Sequence, residues 1–556
     1  MNRYSHYLLC LAILVLPLVA VADSGTPQWF GGQGARHFPI TTASADAQRW
    51  FDQGLTLCYG FNHAEAILSF RKAAAADPDC AMAWWGVAYA WGPHINNPEM
   101  NEEAIEQSHA AMTTAMQKLP NTSPLERMLI EALHHRYAWP SPPDRTPLNQ
   151  AYAAVMREVW RTNPDNADVG ALFAESMMNL RPWDLWTPDG QMQPGTDEIT
   201  ETLAKVLTLE PKHPAALHFT IHTWEASPTP EKALPAADIL RDLVPWAGHL
   251  VHMPGHIDIR LCRYAEAATA NQKAIAVDLA YVEKAGRGGF YTIYRAHNYH
   301  FLAYAAMFEG RREVALTAAR DMAREVPLEV VRAFPDLLDG FHAVPYHVMV
   351  RFGMWKEMLD EPRPPADLPV MQAMWRYGRT MALSSLGRVE EGEREFSAFR
   401  DACGQVPESR TMGNNPTLAI LDIGLSLAEG ELEYRRGGHE RAFELMRDAA
   451  SRDDALRYDE PWGWMQPVRH ALGALLLEQG KVAEAEKVYR ADLSRHPGNG
   501  WALTGLAECL DRDGRQAEAE QVRAQFAKAW RRADTPVAAS CFCRMDVAEV
   551  GSGQRR

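Results

Sequence analysis

Residues 50–78 read WFDQGLTLCYGFNHAEAILSFRKAAAADP. Small residues at Gly54, Ala66 and Ala73 are interleaved with large apolar ones at Trp50, Leu57 and Phe70, and Pro78 closes the stretch. Small side chains let two helices approach closely, and large ones fill the gap between them. The proline ends the second helix, because it lacks an N–H donor and its ring clashes with the preceding turn. The stretch predicts a pair of tightly packed antiparallel helices.

The same pattern returns along the chain. Gly473, Ala485, Tyr489 and Pro497 repeat it near the C-terminus, and Ala507 and Ala519 carry it further. Gly310, Ala315 and Pro327 mark a central unit, Pro211 and Pro245 mark unit ends, and weaker units rest on Gly353, Gly387 and Gly437. A period of about 34 residues with these small-residue positions resembles the tetratricopeptide repeat, in which each unit is a helix-turn-helix pair. The resemblance covers most of the chain and implies an all-α fold, a right-handed superhelical solenoid of about ten such pairs. Its expected organisation is an extended arm over 23–45, N-terminal repeats over 46–165, central repeats over 166–337, C-terminal repeats over 338–535 and a flexible tail over 536–556. Longer insertions are expected at 93–150, 181–198, 280–294 and 328–338, with no hairpins. Such a fold says little about function, which must be argued from a site.

Composition narrows the classes. The chain has 556 residues, is 47% hydrophobic and carries a formal net charge of −15. The acidic balance argues against nucleic acid as a partner. Residues 1–22 look like a signal peptide: Arg3 precedes an apolar run from Leu8 to Val21, and Ala20-Val21-Ala22 is a small-x-small cleavage site before Asp23. The expected location is secreted or periplasmic, with no stable membrane insertion after cleavage. Outside that segment the cysteines are Cys58, Cys80, Cys262, Cys403, Cys509, Cys541 and Cys543, too scattered for a disulfide framework. Cys541-Phe542-Cys543 reads as a local disulfide, a soft metal-ligand pair or an idle tail.

The chemistry concentrates between 218 and 300. LHFTIHTWEAS holds His218, His222 and Glu225; AGHLVHMPGHIDIR holds His249, His252 and His256; AHNYHFLAY holds His297 and His300. Spacings of three, four and seven put each set on one face of a helix. Met253-Pro254-Gly255 is expected to tighten or kink the second helix and re-aim His256. Counted from the unit-ending prolines, all seven histidines and Glu225 fall at positions that the resemblance assigns to the concave surface. By the same count Glu175 falls there too. His347 also occupies such a position, without partner histidines on its helix.

Neighbouring helices pack about 8–10 Å apart, and metal–nitrogen bonds run about 2.0–2.1 Å for zinc, so facing helices can share an ion. Seven imidazoles exceed the needs of one ion and predict two. The metal ligands expected are His218, His222, His249, His252, His256, His297 and His300. Glu225 is expected to be a ligand, a bridge or a base, and Glu175 a ligand or an orienting group. Nitrogen ligation suits copper first, and iron or zinc next. The expected activity is a metal-dependent oxidoreductase acting on a small organic or peptide ligand in the groove. The alternatives are a metallohydrolase with Glu225 as base, or a non-catalytic scaffold that binds metal or a protein partner. The loop Arg181–Trp186 and the segment Glu460–Trp464 are dense in tryptophan and are expected to close over the groove.

Overall fold

A computed structural model describes residues 27–286 and 289–544. The segment read as a signal peptide lies outside the described residues. So do the residues after 544. No helix among the described residues is long and apolar enough to cross a membrane.

The chain is an all-α repeat solenoid. The helices Ala45–Tyr59 and His63–Ala76 form the first pair. Their packing is the one implied by the small residues: a Cβ added at Gly54 would stand 2.8 Å from the Phe70 ring, and one at Gly86 on the next helix would stand closer still. The C-terminal repeats use the same device, with the Tyr489 ring lying between Gly473 and Gly505. Any larger residue at these four positions would drive a helix pair apart.

The region 93–150, expected as a longer insertion, is itself largely helical. It contains the helices Glu102–Gln117 and Pro124–His134, the latter begun by a capping box between Ser123 and Glu126. A hairpin also went unforeseen: Thr411–Met412 pairs antiparallel with Asn415–Pro416. Its turn depends on Gly413, whose φ of +54° suits a residue without a Cβ.

Both ends of the described chain are tied to its middle. The N-terminal arm is extended, and its Arg36 pairs with Asp168 on one unit and Glu210 on the next. Phe30 in the arm stacks on Trp246, with ring centroids 5.5 Å apart. At the other end, Trp501 donates through Nε1 to the Met307 carbonyl at 2.9 Å. Asp534 accepts from the backbone N–H groups of Arg312 and Glu313, capping the helix that starts there. The last repeats therefore lie against the central ones, and the loop at 455–467 reaches across the centre.

Residues 536–544 are not the expected flexible tail. Ser540 is buried, donates to the His470 carbonyl at 2.7 Å and bonds the Tyr489 hydroxyl. Cys543 is buried as well. Buried hydrogen bonds hold this segment down.

Candidate metal centre

Three helices carry the centre. Pro214–Trp224 is the first, with Pro214 at its first turn and His213 capping it by accepting from the Ala216 N–H. The second is interrupted: Gly248–His252 is followed by Pro254–Arg260, because Pro254 has no N–H to donate to the preceding turn. The His256 N–H instead bonds the Met253 carbonyl three residues back, a local tightening. Tyr291–Phe308 is the third.

A buried polar clamp holds the second and third helices together. Asp278 takes hydrogen bonds from Tyr291 Oη at 3.1 Å and Asn298 Nδ2 at 2.7 Å. The Tyr291 hydroxyl in turn accepts from the His249 N–H at 3.3 Å. Gly248 permits this approach, since a Cβ there would overlap the Asp278 carboxylate.

Six of the seven histidines meet in two groups of three. His218, His222 and His249 form one, and His252, His256 and His297 the other. Within each group one nitrogen per ring lies within 4.8 Å of the other two. The groups adjoin: ring centroids of His249 and His252 are 5.8 Å apart, and those of His222 and His256 5.9 Å.

The hydrogen bonds outside the rings decide which nitrogen faces inward. His218 Nδ1 donates to the Tyr59 carbonyl at 2.7 Å, so its Nε2 carries the lone pair. His252 Nδ1 lies 2.8 Å from Asn271 Oδ1, and the Asn271 amide nitrogen is used on the Ala267 carbonyl. Glu225 holds two rings at once, with one oxygen 2.7 Å from His222 Nδ1 and the other 2.6 Å from His256 Nδ1. Glu460 stands 3.1 Å from the same His256 nitrogen. In the His218, His222 and His252 rings the carbonyl, carboxylate or amide oxygen accepts from Nδ1 and turns Nε2 inward, while at His256 the two carboxylates approach Nδ1 as an ion pair. Such outer partners fix tautomer and orientation in metal sites.

Inside, the Nε2 atoms have each other for company. His218 and His249 face at 3.2 Å, and His252 and His256 at 2.7 Å. His222 Nε2 and His249 Nδ1 are buried with no hydrogen-bond partner. Burial and mutual repulsion push His218, His249, His252 and His297 well below the usual histidine range, so they stay neutral donors of lone pairs. His256 is the exception. Burial alone would lower it, but the Glu225 and Glu460 carboxylates outweigh burial and hold it high, while Glu225 is held low. A proton on His256 then occupies the space between it and His252. Lone pairs converging in a dry cavity are costly unless a cation lies among them.

Aromatic rings wall both groups. Phe61 lies 4.7 Å from His218 and 5.3 Å from His249, centroid to centroid, and Phe301 lies 5.1 Å from His252 and 5.2 Å from His256. Phe61 has a φ of +56°, a left-handed backbone that an L-residue adopts at a cost of roughly 1–2 kcal/mol. The two tryptophan-rich segments do close over the centre. Trp183 meets His222 edge-on at 5.4 Å, and the other segment contributes Glu460. His297 is half-buried, the one member of the six that is not fully enclosed.

Two sequence expectations need correction. His300 does not join: its Nε2 faces Met465 Sδ at 3.4 Å and its ring lies against Phe341. Glu175 sits elsewhere, with Asn179 donating to it and Arg136 as a neighbouring charge. Glu225 directs its two oxygens at the Nδ1 atoms of His222 and His256, and with His256 and Glu460 it forms a further group of donor atoms within 4.8 Å of one another. Phe61, Asn271, Phe301 and the role of Glu460 went unforeseen. Phe301 was findable, since it follows His297 by four residues and shares its face. Asn271 and Glu460 come from other elements and carry no local signal.

The tetratricopeptide-repeat family model matches residues 468–525. No curated protein matches the sequence. Among solved structures, a human IFIT1 dimer with m7Gppp-AAAA is similar over 89% of this chain and 91% of its own, at 11% identity and a TM-score of 0.32. Yeast Tom70 is similar over 88% of this chain and 90% of its own, at 12% identity and a TM-score of 0.28.

Proposed function

We propose that this tetratricopeptide-repeat protein is a metalloprotein whose two histidine triads hold two transition-metal ions, copper first and iron or zinc next. We further propose that it is an exported oxidoreductase using dioxygen on a small organic or peptide substrate. The observation that carries the proposal is the convergence of six histidines in two triads, with one ring nitrogen each within 4.8 Å of the other two and with acceptors at the Nδ1 of His218, His222 and His252. Three nitrogen donors per ion fit copper, for which imidazole is a preferred ligand near the top of the affinity order. With copper bound, such a pair supplies two neighbouring one-electron carriers, which suits the reduction of dioxygen.

The chain's own residues supply the rest. Tyr59, Asn271, Glu225 and Glu460 hold the rings in one tautomer, and Phe61, Phe301 and Trp183 exclude bulk water. Substrate approach from the half-buried edge of His297 favours a small ligand or a thin peptide segment. Hydrolysis would need a carboxylate free to take a proton from a metal-activated water. Glu225 is engaged on two imidazoles, which favours redox chemistry. Export rests on the sequence of residues 1–22.

The test is dioxygen uptake by copper-loaded protein with electron-rich organic reductants. Activity that disappears in both His218→Ala and His252→Ala supports the proposal. Ester or peptide hydrolysis by the zinc form, without oxygen uptake by the copper form, would overturn the redox reading. A chain that exchanges metal loosely and turns over nothing is a scaffold or store.

A further inference from the structure

Outside the two histidine triads, a second donor cluster lies in the C-terminal repeats. Glu431, on the helix Thr417–Arg435, is fully buried, and neither carboxylate oxygen has a hydrogen-bond partner. Its neighbouring cation, Arg435, approaches only to 3.6 Å. A carboxylate in that state is expensive to keep, since burial without hydrogen bonds penalises the charged form. Burial accordingly pushes Glu431 up to about 7, with Arg435 pulling the other way.

What the carboxylate faces is a pair of sulfurs. A carboxylate oxygen of Glu431 and the Sγ atoms of Cys541 and Cys543 all lie within 4.8 Å of one another. The two cysteines are joined as a disulfide. Four contacts hold the segment in this position. Ser540 bonds His470 and Tyr489, Arg435 donates to the Cys543 carbonyl, and Arg544 pairs with Glu508. Cys541 keeps some exposure, so a small thiol and an ion can reach the pair.

We propose that Cys541, Cys543 and Glu431 form a redox-gated site for a divalent d10 ion of the zinc class, shut in the disulfide form and open in the dithiol form. Two molecules of a thiol reductant supply the two electrons and two protons that convert the disulfide to two thiols, and leave as their own disulfide. The ion then displaces both thiol protons, and any proton on Glu431, to give a two-thiolate, one-carboxylate set. Zinc accepts such mixed sulfur and oxygen ligands, and three protein ligands leave a fourth position for water. The carboxylate favours zinc over monovalent copper, which prefers sulfur alone. Arg435 offsets the negative charge that remains. The site stands or falls independently of the histidine centre.

The probe is Cd2+ titrated into the full chain, read by its thiolate-to-metal charge-transfer absorption, which histidine ligation does not give. In a Cys262→Ser chain, which lacks the exposed free thiol of the described residues, one equivalent should produce the band after reduction with a phosphine, and the unreduced chain should produce none. Cys541→Ser should remove it, Glu431→Gln should weaken binding about tenfold or more, and His252→Ala should leave it unchanged. No band in the reduced chain, a band before reduction, or a band that survives Cys541→Ser would overturn the site. Alkylation of the unmutated reduced chain gives a second reading that does not depend on the folding of Cys541→Ser. Zn2+ should slow iodoacetamide labelling of Cys541 and Cys543, and unchanged labelling would overturn it.

Discussion

The two histidine triads are built alike and supported differently. Each takes an i, i+4 pair from one helix and a single histidine from the next, and each is walled by one phenylalanine. The first triad is oriented by a main-chain carbonyl at His218 and one carboxylate at His222. The second is oriented by Asn271 at His252 and by two carboxylates converging on His256. Carboxylates raise ligand basicity as well as fixing orientation. The second position should therefore bind its ion more tightly, and also hold a competing proton more strongly. Glu225 touches both triads and couples them.

That inequality can be broken in stages. Removing a ligand has the largest effect: His252→Ala should drop bound metal from two ions per chain to one, by elemental analysis of the desalted protein. Loss of both ions would mean that the triads form a single site. Glu225→Gln comes next. Both of its imidazole contacts weaken, so metal affinity should fall about 10–100-fold at both positions in a competition titration. Glu460→Gln acts on His256 alone, so its loss should be confined to the second ion and lie near the lower end of that range, about tenfold. An equal loss at both positions would show that the segment at 455–467 supports the whole centre.

Phe61→Ala tests the wall and not the ligands. It should destabilise the chain by about 3 kcal/mol in denaturant unfolding, as a large aromatic leaves a cavity, while two ions still bind. His300→Ala is predicted to do least, leaving stoichiometry at two and affinity unchanged within about twofold, because its ring faces Met465 and Phe341 and not the triads.

Much of this was legible in the chain, and the omissions have physical causes. The repeat could be read because close helix packing demands small residues at fixed places, as Gly54 and Gly86 around Phe70 illustrate. Convergence of the histidine helices followed from the repeat register. What spacing alone missed was the partition. A helix turns about 100° per residue, so i+4 returns to within about 40° of the start while i+3 falls about 60° short on the other side. His218/His222 and His252/His256, four apart, share a triad; His249 and His252, three apart, divide between triads. The same geometry sends Phe301 to the centre and His300 to Met465. Glu460 and Phe61 could not be found by local pattern, because they reach the centre only after distant repeats close on it.

The central claim is that two ions sit side by side in this dry cavity, each on its own three imidazoles. Anomalous diffraction from crystals of copper-loaded protein tests it most directly. The account predicts two copper peaks, one within bonding distance of His218, His222 and His249, the other of His252, His256 and His297. A single peak shared by both triads, or copper bound only at sites away from these six rings, would contradict it.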